Sequence, residues 1–319
     1  MTTTLRTVAE ACDLDISTVS RALRGDPKVA SATLAVVRAT AERLGYRPNL
    51  AARALQAGAT RTVWLIAGNL DADFERRLAS GAGRAVEAAG YDLLIASHRD
   101  EAEPFNRLLE RLDQGITDAA LVIAPNGRMP ECPAIERLIT RRWPLVFLDR
   151  SPGVAGIPTV TTDNDGASRT LVQHLAAAGA TRLAICNQGL NAVATTRNQA
   201  AEDEGRRLGL TVSRTPDATW LTTTSGPLAL FGTSQGEIHH FCTRHAELLR
   251  GVPLTAGVFD VWVGEPHPAT TAVVAVQDFT GLATRAAQRV LDVVADPEAW
   301  QAGTEFLPPL RIDTIRSRF

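Results

Sequence analysis

A chain of 319 residues is too long for a lone helical module and suits a small head joined to a two-lobed body, with 45% hydrophobic residues to build the cores. No run approaches 18 consecutive apolar residues and the N-terminus lacks a charged region followed by an apolar one, so neither a membrane span nor a secretory signal is expected, and a cytoplasmic location is. The net charge of −2 conceals an asymmetry: residues 1–61 carry nine basic and five acidic groups (+4) and the remainder 24 basic and 30 acidic (−6), as expected if only the head approaches phosphates.

Leu5, Val8, Ala9 and Cys12 repeat at i, i+3, i+4 and i+7, the apolar face of a short helix, with Thr4 in the capping position. Asp13 and Leu14 interrupt the pattern. Asp15 then caps a second helix by accepting the N–H of Thr18, and Val19, Ala22 and Leu23 form its apolar stripe. Ile16, Ser17, Ser20, Arg21 and Arg24 cannot all share that stripe, so the start of this helix presents a branched apolar group, a hydroxyl and guanidinium forks outward. Two readings fit: an ordinary helical hairpin, or a helix-turn-helix whose second helix lies in a DNA major groove. A third helix is predicted from Ser31 to Leu44, with Val37, Thr40, Ala41 and Leu44 on one face and Gly45 as its left-handed stop.

Directly afterwards come Gly45, Tyr46, Pro48, Asn49, Ala52 and Leu55. Together with Thr18, Val19, Ser20, Arg21 and Leu23 they match T-V-S-R-x-L followed by G-Y-x-P-N-x-x-A-x-x-L, and the chain resembles the lac repressor and galactose repressor (LacI/GalR) family of bacterial transcription factors. The resemblance extends, more weakly, to the C-terminus. It implies base-reading roles for Ile16, Ser17 and Arg21. An Arg can fork onto guanine O6 and N7, a Ser can bond either class of base edge, and an Ile can meet a thymine methyl. The alternatives are phosphate or solvent contact, and for Ile16 a core position. Thr7, Thr18 and Arg24 are expected on phosphates. Residues 48–58 resemble the family's hinge helix, in which Leu55 would wedge into the minor groove with Asn49, Ala52 and Arg53 along the groove and backbone; packing of Leu55 on the body is the alternative. Asp13 stands where the family's turn has glycine and Asp15 where it has serine, which implies a changed base preference or weaker binding.

Beyond Thr62 strand-like runs (TVWLIA, YDLLIA, AALVIA, PLVFLD) alternate with helical ones at residues 74–89, 104–114 and 131–142. A second series begins near Pro158, with helices at 167–178, 197–208 and 237–250 between RLAIC, PLALF and LTAGVFD. Near-continuous apolar strands between amphipathic helices mean parallel sheets covered on both faces. The fold class expected is α/β: an all-α head, residues 1–58, and a two-lobed, doubly wound, periplasmic-binding-protein-like body (type I), residues 59–319. The lobes are expected at about 62–157 with 278–300, and at about 158–277 with 301–319, the chain crossing back near Gln277.

Ligands of such sheets sit beyond the strand C-terminal ends. Asp149, Arg197 and Asp260 stand there, Arg197 opening the helix after RLAIC, and the resemblance implies that they bond the hydroxyls of a small effector. Trp220, in a DATWL strand, resembles the aromatic that stacks on a sugar, and Gln235 occupies the position of a ligand-facing acid. Capping or an interlobe ion pair is the alternative for the two aspartates, core packing for Trp220. Asn69 and Asp71 are weaker candidates. Only TTTSG separates DATWL from PLALF, too short for a parallel crossover, so the second lobe is expected to be trimmed or rearranged. With Ser234-Gln235 in place of Asn-Asp, a ligand-facing carboxylate is missing.

The four cysteines, at 12, 132, 186 and 242, show no C-x-x-C spacing and read as reduced thiols. His239, His240, Cys242 and His245 lack the spacing of a zinc site, and no nucleophile elbow or phosphate-binding loop stands before a helix, so neither metal, cofactor nor catalysis is expected. The resulting expectation is a homodimeric, ligand-responsive repressor of a pseudo-palindromic double-stranded operator, helices such as 74–89 forming the dimer surface. A solute-binding receptor of the same body fold is the alternative.

Overall fold

The computed structural model describes residues 3–47, 54, 58–71, 73–127, 132–189, 191–260, 262 and 270–316. It divides into two compact units, Met1–Thr60 and Arg61–Phe319.

The first unit holds α1 (Leu5–Cys12), α2 (Ile16–Leu23) and α3 (Ser31–Arg43). Thr4 caps α1 in a reciprocal box with Thr7. The helix ends on Asp13, which adopts the left-handed conformation (φ 52°), and Leu14 N–H then reaches back to the Ala9 carbonyl. Val8, Ala9, Val19, Ala22, Val37 and Ala41 meet in one apolar cluster, so the periodicity read from the sequence is the packing surface. Gly45 (φ 64°) stops α3.

The second unit contains two six-stranded sheets. The first is built from β1 (Thr62–Ala67), β2 (Asp92–Ser97), β3 (Ala119–Val122), β4 (Leu145–Leu148), β5 (Pro158–Thr162) and β11 (Gly303–Leu307), in the order β11-β5-β4-β3-β1-β2, all parallel. Helices α4 (Asp73–Ala88) and α11 (Phe279–Ala295) cover one face, and α5 (Ala102–Asp113) and α6 (Pro133–Thr140) the other. Both faces being covered explains why β3 and β4 are buried at every position, including Leu121 and Phe147; each such side chain contributes roughly 1.5–3 kcal/mol of burial.

The second sheet runs β12-β10-β9-β8-β6-β7, from β6 (Arg182–Ile185), β7 (Thr211–Arg214), β8 (Leu228–Phe231), β9 (Leu254–Phe259), β10 (Thr270–Val276) and β12 (Arg311–Arg316); it is parallel but for β12, antiparallel to β10. Helices α7 (Asn164–Ala177) and α8 (Ala192–Arg207) line one side, and α9 (Ala218–Thr223) and α10 (Gln235–Arg244) the other.

Three expectations need correction. The lobes do not divide at residue 157 or 301: β5 pairs with β4 and β11 pairs with β5, so residues 158–162 and 303–307 complete the first sheet. Strand hydropathy is the same in either lobe, and only pairing reveals the membership. The chain passes between the sheets at Asp163, at Gln277-Asp278 and at Pro308-Pro309-Leu310. Secondly, DATWL is the short helix α9, capped by Asp217, and the edge strand before it is TVSR. Thirteen residues therefore join β7 to β8, and the crossover helix among them has six. That length is enough for a parallel crossover, so the shortage inferred from TTTSG disappears once TVSR, and not DATWL, is the strand. Lastly, α8 starts at Ala192 on an Asn191 cap, which places Arg197 in its second turn. Among the described residues no helix is long and apolar enough to cross a membrane.

Candidate functional site

The Asp15 carboxylate accepts the N–H of Ser17 at 2.8 Å, and the Thr18 N–H expected from the sequence also acts on it, more weakly. The Ser17 hydroxyl and N–H, with Arg21 nearby, hold this carboxyl below the usual range, so it stays ionised at the head of α2. Ile16, at 43% exposure, is not a core residue, and Ser17, Arg21 and Arg24 are likewise exposed while Val19 and Ala22 are buried. Thr18 is half-buried; the Thr7 hydroxyl lies 3.0 Å from that of Thr4. One face of α2 thus offers the donor, acceptor and apolar groups that base edges need. Asn49, Ala52, Arg53 and Leu55 lie outside the described residues.

In the body, two of the other four effector candidates, Asp149 and Asp260, gather around Arg197. This side chain is buried, its Nε donating to Asn164 Oδ1 at 2.7 Å and its Nη2 to Gln277 Oε1 at 3.0 Å, with the guanidinium 3.6 Å from the centroid of the Phe259 ring. Gln277 also accepts the Thr162 hydroxyl at 2.6 Å and donates to Asp260. Two of the three passages between the sheets are therefore clamped by one guanidinium and one amide. Burial lowers the Arg197 pKa, opposed first by Asp260, then by Asp149 and Glu237.

Asp149 and Asp260 follow β4 and β9 in left-handed backbone conformations (φ 64° and 77°). Such strain in a non-glycine residue is held only by a well-determined surrounding: Asp149 N–H donates to the Val160 carbonyl at 2.8 Å and Asp260 N–H to that of Ala275 at 2.9 Å. Burial pushes both carboxyls up, against Arg197 and, at Asp149, Arg150 as well. The Asp149 carboxylate has no hydrogen bond or ion pair among the described residues, and it lines a cavity of about 380 Å³. That cavity draws Thr161 and Phe306 from the first sheet, Asp163 and Asp165 from the start of α7, and Val193 and Thr196 from α8. Nearby the Asn191 side chain bridges the lobes, donating to Asn126 Oδ1 at 3.1 Å.

Trp220 is not brought to this place. It lies on α9, half-buried against the core and 5.8 Å from the guanidinium of Arg182, the first residue of β6, which donates to the carbonyls of Thr224 and Gly226 just before β8. Trp220 therefore stands at the N-terminal end of the strands, opposite Arg197, and its role is packing. Gln235 is half-buried in the first turn of α10. The carboxylate missing there is supplied two residues later: Glu237 accepts from Asn187 Nδ2 at 2.9 Å and from Thr233 N–H at 2.7 Å, and it acts on Arg197. Asn69 accepts the N–H of Asp71 at 3.0 Å, and both are exposed.

A second buried ionic group was not foreseen. Arg150 Nη2 bonds Glu75 Oε1 at 2.8 Å and its Nη1 lies 3.6 Å from Asp100, all at the C-terminal end of the first sheet. Glu75 Oε2 and Arg150 Nε are buried without a hydrogen-bond partner among the described residues. Burial lifts the Glu75 pKa to about 7 despite Arg150. Nothing in a helix-borne Glu or a strand-end Arg announces such a pair before the fold joins them. Asn164 and Phe259 were missed for a similar reason: each reads locally as a helix start or a strand core.

Residues 4–49 match the model of bacterial regulatory proteins of the lacI family, and residues 60–216 that of periplasmic binding proteins and sugar binding domains of the LacI family. The maltose regulon regulatory protein MalI of Escherichia coli is 32% identical over 57% of this chain and 52% of its own length. Catabolite control protein A of Priestia megaterium is 29% identical over 68% and 63%, and the transcriptional regulator AglR of Rhizobium meliloti 35% over 59% and 53%. The chain thus spans between about half and two thirds of the length of these curated relatives. Among solved structures, the lac repressor dimer bound to operator and the anti-inducer ONPF superposes with a TM-score of 0.78 at 18% identity, covering 100% of this chain and 99% of that one. The complex of the transcriptional regulator CelR with cellobiose gives 0.60 at 22%, covering 99% of both. At these identities the likeness is one of fold.

Proposed function

Because the chain belongs to the LacI family of bacterial regulatory proteins, we propose that it is a sequence-specific DNA-binding transcriptional regulator, acting as a homodimeric repressor on a pseudo-palindromic operator. The observation that carries this reading is the outer face of α2, where Ile16, Ser17 and Arg21 are exposed on a helix whose opposite face is buried in the head. Ile16, Ser17 and Arg21 read bases, and Thr7, Thr18 and Arg24 hold phosphates. Asn49, Ala52, Arg53 and Leu55 line the minor groove in the paired state. The basic head and acidic body favour approach of the head alone. A pair of heads is required because an excess of four positive charges makes few phosphate contacts.

The switch is the closure of two lobes around a small molecule. Asp149, Arg197 and Asp260 sense it, Gln235 borders the site, and the Gln277 clamp carries the lobe angle into the crossings. A ligand that binds one lobe arrangement more tightly shifts the dimer between operator-competent and incompetent states. The test is selection of random duplexes by the purified chain. Enrichment of a two-fold symmetric sequence supports the reading, and retention of duplexes without any preferred sequence sinks it.

A further inference from the structure

We propose that Asp15 sets the base preference of Ser17: the carboxylate takes the hydroxyl proton, so that Ser17 shows base edges only its lone pairs and selects an amino group, adenine N6 or cytosine N4, in the operator half-site. This rests on reading α2 as the recognition helix, and it narrows to one class of edge a residue whose type alone bonds either.

Asp15, Ile16, Ser17 and Arg21 are all exposed, while Val19 and Ala22 behind them are buried. Ser17 N–H donates to Asp15 Oδ1 at 2.8 Å, which holds the carboxylate beside the residue that carries the hydroxyl. The hydroxyl also bonds that carboxylate. A serine has one proton and two lone pairs, and an ionised carboxylate accepts without donating. Their bond is charge-assisted, about twice as strong as a bond between neutral groups. Turning the hydroxyl proton to guanine O6 or N7, adenine N7 or thymine O4 would exchange the stronger bond for a weaker one. The lone pairs stay open to a donor, and the major groove holds two kinds, the N6 of adenine and the N4 of cytosine. The serine of the family's pattern at position 15 can donate as well as accept, so it leaves both polarities of Ser17 open.

Arg21 acts on the Asp15 carboxylate through charge alone, so its fork remains available to guanine O6 and N7. It stands one turn beyond Ser17 on α2, about 6 Å along the axis, or about two base-pair steps of 3.4 Å. The base read by Ser17 therefore lies within about two base pairs of that guanine. Asp15 touches no base in this arrangement; it is a positioning residue.

Selection of random duplexes by the full chain, followed by binding to single-base variants of the selected half-site, tests this. One position within about two base pairs of the guanine should hold adenine or cytosine on one strand, with guanine or thymine there weakening binding about three- to tenfold, as for one hydrogen bond. Replacing that adenine by purine, or that cytosine by 2-pyrimidinone, deletes the amino group alone and should cost the same. Ser17→Ala should bind intact and amino-deleted duplexes equally. Asp15→Gly, which leaves a residue that still caps a helix, should shrink the preference to less than about twofold while the guanine of Arg21 is still required. If Asp15→Gly fails to fold, Asp15→Asn takes its place, since its amide caps as well and can donate to the hydroxyl. Guanine, thymine or no preference at all such positions overturns the inference. So does an amino preference that survives Ser17→Ala or the change at Asp15, or an equal weakening of every duplex by that change, which would make Asp15 a cap and nothing more. Each of these outcomes leaves an enriched operator and so the regulator standing, whereas a chain that enriches no sequence sinks both.

Discussion

The guanidinium of Arg197 lies 3.6 Å from the centroid of the Phe259 ring while its nitrogens bond Asn164 and Gln277, so one side chain joins α7, β9 and the crossing after β10. A planar cation does this and an ammonium does not, since stacking and forked donation both depend on the plane. Arg197→Lys should therefore destabilise the body by about 2 kcal/mol, through lost stacking and one unsatisfied buried acceptor. It should also uncouple the effector from DNA release. Urea unfolding and operator binding with and without ligand measure the two effects; an unchanged unfolding midpoint would mean that the clamp is not structural.

Asp13 holds a left-handed conformation (φ 52°) at the turn between α1 and α2. A glycine there meets no penalty from a side chain, so Asp13→Gly should stabilise the head by about 0.5–1 kcal/mol. Thermal unfolding of the full chain, followed by a probe in the head, should show a higher midpoint. A drop would mean that the Asp13 side chain contributes more than its backbone conformation costs.

The head was legible because its three helices each expose a period of 3.6 that coincides with the observed core, and because Thr4 and Gly45 stop the helices where capping chemistry requires. Asp149 and Asp260 were legible from their places just after apolar strands. Trp220 was not, since a six-residue helix is too short to display its period and TVSR, half exposed at an edge, lacks the apolar run of its neighbours. The partners of Arg197 were equally hidden. Asn164 and Gln277 are 113 residues apart in the chain, and only the passage of β5 into the first sheet brings their side chains onto one guanidinium. Local pattern thus reported elements and strand ends, and pairing decided which ends face each other.

Arg21 is exposed on α2 one turn beyond Ser17. Its replacement by Ala should cost about 1–3 kcal/mol at a single base pair of the operator half-site and leave the other positions unaltered. Binding to a set of single-base operator variants reads this directly. A uniform loss across all variants, with a smaller salt dependence, would reassign Arg21 to a phosphate.

Glu75 is 1% exposed against Arg150, with one carboxylate oxygen lacking a partner among the described residues, and its pKa stands at about 7 where an ordinary Glu has 4.5. Between these values the folded chain holds a proton that the unfolded chain has released. The stability from this group is therefore fully present below about pH 4.5 and is lost as the pH rises through about 7, by about 3 kcal/mol in all. Glu75→Gln keeps an acceptor for Arg150 and a donor at the unpaired position, and it does not titrate. The variant should match the natural chain below about pH 4.5 and become the more stable of the two above about pH 7. Urea unfolding of both chains below about pH 4.5 and above about pH 7 checks this, and a stability difference that does not change with pH would show that Glu75 remains ionised throughout, with Arg150 compensating its burial.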